Sequence, residues 1–491
     1  MIETPSVDWL ALSPVLAGLA GGGVALLGAV TVSRAWRKPV AAVAVSAGFV
    51  TAIVFAAILF SESADAETVV ADAMARDRLA ALAQLIVFGS ALVAVLVSWA
   101  ERFGREHVGE YYALLATAAA GMAFFVAANN LMTLFLGLEW FSLSLYALCA
   151  IAGDRAPALE AGLKYLIVGG FGSAILLFGS ALVYGATGTL EFGGIAAAVR
   201  SEDLVDDPMV LAGLAMLLTG FGFKASAAPF HMWTPDVYQG APTPVTAFMS
   251  AGTKTAALVL TLRVLVTAFP EHTEFWTVVV AIIAVASLAV GNLAALVQRN
   301  VKRLLAYSSI SHAGFMLIAV AANNDLGAEA LLFYLIPYSA ASIGAFAVVA
   351  ARERELAREV TFDELAGLGW ERPLLGVSLW VFMLNFAGLP LTGGFFGKFL
   401  VFSAAVRADW TWLVIVGVAA TAVSLYCYLA VIRALYMRTP ELTVAPAGGS
   451  PPSELLLQAA VLVCLTVTVG TFFAVDPLTD FAADAAATLF G

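Results

Sequence analysis

Glu139, Lys164, Lys224, Lys254, Arg263 and Lys398 are charged residues set in stretches otherwise apolar enough to cross a bilayer. A charge near a helix centre costs roughly 2.5–3.5 kcal/mol on insertion scales, so such groups are paired, wetted or functional. The chemistry open to them is proton binding and release, because burial disfavours the charged form of an amine and brings proton exchange within reach. Lys254 is the deepest, about ten residues into its apolar run within FMSAGTKTAAL. It is read either as a proton carrier or as a structural lysine bonded to a helix carbonyl. Glu139, about nine residues into LFLGLEWFSLSLYAL, is satisfied either by a hydroxyl such as Ser142 or by a lysine on another helix. Lys164 and Arg263 stand near span ends, where a long side chain can snorkel to the interface, and for Arg263 snorkelling is the expectation.

Two of these lysines lie beside a break. In LTGFGFKASAAPFHMWTPDVYQGAPTP (218–244), Lys224 precedes Pro229 by five residues; Pro229 cannot donate to the carbonyl of Ala225, so a helix must break or kink there. In NFAGLPLTGGFFGKF, Lys398 follows Pro390 by eight residues. The unwound backbone at 229–230 and 388–390 calls for water in a cavity. His231 lies just past the first break, and His312 stands four residues after Ser308 in a hydroxyl-rich turn. Each is read either as a proton relay or as a satisfied core histidine; His272 is placed in an outer loop and His107 in a plain one.

These groups must be held by helices. The 491 residues are 62% hydrophobic and 12% charged, which excludes an ordinary soluble globule and points to an all-α polytopic membrane protein. About fourteen spans are predicted, near 9–31, 39–60, 79–99, 111–128, 130–152, 161–186, 209–230, 243–268, 275–297, 303–322, 328–351, 373–403, 410–437 and 454–474. Basic loops (Arg34, Arg37, Lys38; Arg102, Arg105; Arg155; Arg299, Lys302, Arg303; Arg352, Arg354, Arg358, Arg372; Arg438) alternate with acidic ones (Glu62, Asp65, Glu67, Asp72; Glu202, Asp203, Asp206, Asp207; Glu271, Glu274). The positive-inside rule then sets both termini outside. Stretches 188–200 and 352–369 read as interfacial helices, and 440–452 as a linker.

Broken spans 7 and 12, entering from opposite faces five spans apart, suggest inverted five-helix repeats, spans 4–8 against 9–13. The expected organisation is a three-helix segment (1–105), a first half-channel (106–270), a second, inverted one (271–440), and a linker with a last helix (441–491). Cys149, Cys427 and Cys464 are far apart and lack metal-ligand spacing. No nucleotide-binding glycine motif is present, the net charge of −11 makes nucleic acid an improbable partner, and Glu3 and Asp8 are the wrong flank for a signal peptide. No nucleophile–histidine–acid set stands out either. The row of protonatable groups at mid-membrane depth points to a proton or cation path.

The stretch GFGFKASAAPFHMWTPDVYQGAPTPVTAFMSAGTKTAAL closely resembles the signature of the antiporter-like membrane subunits of respiratory complex I, which are similar to subunits of cation/proton antiporters. LLAYSSISHAGFML, NNLMTLFLGLEWFSLSLYAL and LPLTGGFFGKF extend the likeness over most of spans 4–13. Fourteen spans, a lysine rather than a glutamate at position 398 and no lateral helix resemble one branch of that family. The resemblance implies a Glu139–Lys224 pair in the first half-channel, Lys254 as central relay, Lys398 as the terminal lysine of the second, and Lys164 and His312 as accessory groups. It implies that NADH, FMN, iron–sulfur clusters and quinone belong to other subunits, further antiporter-like subunits among them, in a bacterial inner membrane. Two competing readings are a stand-alone cation/proton antiporter subunit and a non-transporting scaffold whose charges only fix packing.

Overall fold

The computed structural model describes residues 7–63, 66–101, 107–438 and 454–490. The expected linker 440–452 and the loop charges Asp65, Arg102 and Arg105 lie outside the described residues. The chain runs through α1 (Trp9–Thr31), α2 (Arg37–Glu62), a hairpin of β1 (Glu67–Val69) and β2 (Met74–Arg76), α3 (Arg78–Ser98), α4 (Val108–Val126) and α5 (Leu131–Ala150). There follow α6 (Ala156–Thr187), α7 (Phe192–Ser201), α8 (Pro208–Lys224), α9 (Trp233–Gly240), α10 (Thr243–Ala268), α11 (Thr273–Ala295) and α12 (Val301–Ala321). The last are α13 (Asp325–Leu356), α14 (Leu368–Glu371), α15 (Pro373–Ala387), α16 (Gly393–Arg407), α17 (Thr411–Met437), α18 (Leu455–Phe473) and α19 (Val475–Phe490).

Among the described residues twelve helices are long and apolar enough to cross a membrane, and α8 and α15 are shorter apolar pieces. The chain is a multi-pass, all-α membrane protein. Short polar side chains start the helices: Asp8, Asp77, Asn130, Asp207, Asn300 and Asn324 each accept from first-turn amides. Small residues let the backbones approach, as where a side chain on Gly21 of α1 would come within 2.8 Å of the Gly48 backbone of α2. Helices α10, α12 and α13 are the centre, with 100%, 94% and 89% of their apolar windows buried, against 39% or less for α1, α2, α6, α17 and α18. The centre is thus where Lys254 and His312 sit.

One local expectation is corrected, and two elements were not foreseen. Residues 352–369 do not form a separate interfacial helix: α13 continues through Leu356 and turns lead into the four-residue α14. The hairpin β1–β2 is too short to show a period-two pattern, and α19 follows α18 with one residue between them, so both escape a search for twenty-residue apolar runs. By contrast, α7 forms where an amphipathic stretch was expected, burying Phe192, Ile195 and Val199.

Candidate functional site

The first break begins earlier than its proline. Helix α8 ends at Lys224, Ser226 adopts a left-handed φ of 59°, and Pro229 itself faces outward. The backbone groups released here find side-chain partners. Lys254 Nζ, fully buried, donates to Ala225 O at 2.8 Å, the carbonyl that Pro229 leaves without its helical donor. Ser287 Oγ accepts from Ala228 N at 2.8 Å, and Trp233 Nε1 donates to Phe223 O at 3.1 Å.

The second break repeats this chemistry. Helix α15 ends at Ala387, Gly388 is left-handed at φ 76° and Leu391 at 73°. Lys398 Nζ of α16, 4% exposed, donates to Phe386 O at 3.0 Å and Ala387 O at 3.3 Å; Phe386 O is the carbonyl Pro390 orphans. Asn385 Oδ1 accepts from Gly394 N at 2.8 Å and stitches α15 to α16. Both prolines are exposed, while the carbonyls they free are held by buried ammonium groups. The expectation that such carbonyls need water is therefore corrected, since lysines serve them. In this bonding the counterpart of Lys398 is Lys254.

Lys224, 2% exposed, donates to Ser142 Oγ at 2.6 Å and Tyr165 Oη at 3.3 Å and lies 4.4 Å from the centre of the Phe141 ring. Ser142 in turn donates to Leu138 O. Among the described residues no carboxylate is in salt-bridge contact with Lys224, Lys254 or Lys398. The Glu139–Lys224 pair implied by resemblance is not a direct contact here: Ser142 occupies the ammonium, Glu139 stays within its Coulombic reach, and Glu139 Oε1 is buried without a hydrogen-bond partner. Glu139 shares a stripe of α5 with Met132, Leu136 and Leu143, which are 47–58% exposed.

His312 of α12 lies between the two lysine-held breaks. Its Nδ1 is 2.8 Å from Tyr334 Oη, its Nε2 3.2 Å from Tyr428 Oη, and its ring centre 5.1 Å from that of Phe386. Tyr428 Oη also meets Ser308 Oγ at 2.6 Å, so the i, i+4 pair read from sequence converges on one phenol. His312 is within electrostatic reach of both Lys254 and Lys398. These amines, phenols and hydroxyls can take up and hand on protons, and contain no arrangement for covalent chemistry.

A family profile described as NADH:quinone oxidoreductase/Mrp antiporter, TM, matches residues 128–424, which hold every group just described except Tyr428. The chain belongs to that family. It is 45% identical over 372 residues to NADH-quinone oxidoreductase subunit N of Trichlorobacter lovleyi, covering 75% of this chain and 76% of the relative. It is likewise 45% identical over 395 residues to subunit N of Mycobacterium bovis, covering 79% and 73%. Respiratory complex I from Thermus thermophilus contains a chain that superposes with a TM-score of 0.79 at 35% identity, covering 96% of this chain and 99% of that one. A chain of the Mrp complex from Dietzia sp. shares the fold at a TM-score of 0.85 and 22% identity, covering 98% of each.

Other residues singled out in the sequence fall apart from this group. Lys164 is 43% exposed at the basic end, paired with Glu160 and Asp236 at 2.7 Å each, and Asp236 also pairs with Arg303 at 2.7 Å. His231 is half-buried beside Met232, which is 72% exposed. Arg263 does not snorkel: it is 4% exposed and grips Asp77, 1% exposed, through two bonds of 2.5 and 2.8 Å. His272, expected in an outer loop, is buried in a short turn. Sequence reasoning missed Tyr165, Tyr334, Tyr338 and Tyr428, whose phenols look like ordinary apolar-span aromatics until their partners are seen. It also counted Lys302 as a loop charge, although its side chain is 2% exposed.

Proposed function

We propose that this chain is a proton-translocating membrane subunit of an NADH:quinone oxidoreductase, moving protons through buried lysine, histidine, tyrosine and glutamate groups. One observation carries the reading: three buried lysines are held by neutral oxygens and rings and by no carboxylate. A carboxylate in direct hydrogen-bond contact would hold the ammonium charge in place, whereas a cradle whose first contacts are neutral lets it be loaded and unloaded. In this scheme Glu139, acting through Ser142, tunes Lys224; Lys254 is the central carrier; His312 links it to Lys398. The Lys254 and Lys398 bonds to orphaned carbonyls tie each protonation state to the backbone at its break. Lys164 and His231 are accessory groups at the margin.

Counting α8–α9 and α15–α16 as broken spans gives fourteen, and we read spans 4–8 and 9–13 as inverted half-channels within 106–270 and 271–440. The alternating loop charges support both termini outside a bacterial inner membrane. The exposed stripe around Glu139 supports a neighbouring membrane subunit there, further antiporter-like subunits being the natural partners. NADH, FMN, iron–sulfur clusters and quinone are assigned to other subunits, and this chain serves the enzyme without a redox centre of its own. Moving one charge against 100 mV needs about 2.3 kcal/mol, which quinone reduction elsewhere would supply. The test is proton and sodium flux into liposomes holding the intact complex during quinone reduction, with Lys224→Ala. Loss of proton flux supports the reading. Sodium flux that survives without quinone reduction favours the antiporter alternative.

A further inference from the structure

A cavity of about 690 Å³ opens at the basic end of the bundle, lined by charged side chains that include Glu101, Arg155, Glu353, Arg354, Arg372 and Glu454. Most of these charges are engaged with one another; Arg354, for instance, pairs with Glu454 at 2.9 Å and Glu101 at 3.5 Å. Glu353, on the last turns of α13, differs in facing two ways. One side lines the cavity, and the other accepts a hydrogen bond from Thr243 Oγ1, the first residue of α10. Behind Thr243 lies Lys302, whose Nζ donates to Thr243 Oγ1 at 3.0 Å and Ala241 O at 2.9 Å, and stands 3.7 Å from Glu353. The side chain of Lys302 is 2% exposed and that of Glu353 16%. A carboxylate that faces the cavity is therefore joined through one hydroxyl to a buried amine.

From the geometry we infer that Glu353, Thr243 and Lys302 form the inner proton-loading site of this subunit. The inference rests on the proton-translocation reading above. Glu353 takes a proton from cavity water when Lys302 is neutral. The Glu353 O–H bond then breaks as a new O–H forms on Thr243, while the Thr243 hydroxyl gives its own proton to Lys302 Nζ. The products are a carboxylate, a hydroxyl pointing at it and an ammonium donating to that hydroxyl, which is the hydrogen-bond order observed. Beyond it, α10, α12 and α13 carry further hydroxyls toward the centre. Ser342 Oγ donates to Ser250 Oγ at 2.8 Å, and Ser309 Oγ lies 2.9 Å from Tyr338 Oη, whose ring is 5.3 Å from that of His312. Ser309 is two helical turns along α12 from Lys302, roughly 10 Å at ~1.5 Å per residue, so intervening water is part of the route.

The test uses the intact complex in proteoliposomes, comparing Glu353→Gln, Glu353→Asp, Thr243→Val and Thr243→Ser with Lys254→Met as reference. Glu353→Gln keeps a hydrogen-bonding group but no titrating one, and Thr243→Val removes only the bridge. Expected are several-fold losses of protons moved per quinone reduced for Glu353→Gln and Thr243→Val, and near-normal values for Glu353→Asp and Thr243→Ser. If Glu353→Gln fails to assemble, the Thr243 pair decides, because valine keeps the shape of threonine without its hydroxyl and serine keeps the hydroxyl. Normal pumping by assembled Thr243→Val or Glu353→Gln overturns the loading site while Lys254→Met remains impaired. Normal pumping by Lys254→Met as well would instead overturn the function it rests on.

Discussion

Substitution of Asp77 probes the contact between α3 and α10 most sharply. Its carboxylate does two jobs: it accepts from Ala80 N as the N-cap of α3, and it takes two bonds from the Arg263 guanidinium of α10. With both side chains almost wholly buried, Asp77→Ala strands a charge, a defect worth about 3–5 kcal/mol. Loss of the cap adds ~1 kcal/mol, for a sum of about 4–6 kcal/mol. The double change Asp77→Ala/Arg263→Met removes both charges and keeps most of the apolar volume, so it should recover all but about 1–2 kcal/mol. The assay is the half-life of the folded subunit in the purified complex at fixed temperature, where ~1.4 kcal/mol corresponds to about tenfold if the contact breaks before the unfolding barrier. The single variant should lose two or more decades and the double most of that deficit. Unchanged half-life in Asp77→Ala, or strict additivity, would refute the buried pair and restore a guanidinium reaching water.

Gly388→Ala should impair pumping, since φ 76° disfavours a side chain and a Cβ there would lie 2.7 Å from Lys398 Cδ; proton flux per quinone reduced reads it, and a normal ratio would show that Lys398 can move away freely. Tyr428→Phe removes the phenol shared by His312 and Ser308 and should slow proton transfer several-fold with assembly intact, measured as pumping rate at saturating substrate. In the loop between α13 and α14, burial opposes the charge of Glu364, but the hydroxyl and amide of Thr361 and the charge of Arg358 outweigh it, holding the carboxyl below its ordinary 4.5. Its contribution of about 1 kcal/mol is thus complete above that value and lost as pH falls through the lowered one. Glu364→Gln should therefore speed hydrogen exchange of 357–367 at neutral pH, and the difference from the parent should vanish as the pH falls through the lowered value.

Much of the fold was legible because the bilayer demands it: long apolar runs between charged loops allow little besides helices. The breaks were legible too, because proline removes a donor wherever it falls. Hidden were the acceptors' new partners. That Lys254, far along the chain, would serve Ala225, and Lys398 would serve Phe386, is a matter of helix packing, and one sequence does not state which helices touch. Arg263 misled for the same reason: its distance along the helix suggested an interface, while Asp77 on α3 buries it. Glu139 was found by type and depth, yet its lysine is engaged by Ser142, a hydroxyl first weighed as a partner for Glu139 itself. The short hairpin fell below the length at which periodicity speaks, and α19, at 16 residues, below that of a membrane-crossing apolar run.

The central claim is that buried amines on neutral cradles carry protons, and Lys254 tests it most directly. Lys254→Met keeps the volume and length of the side chain while removing the ammonium bonded to Ala225 O. In the intact complex reconstituted in liposomes, protons moved per quinone reduced should fall several-fold, with the complex assembled. A full pumping ratio in assembled Lys254→Met would contradict the account.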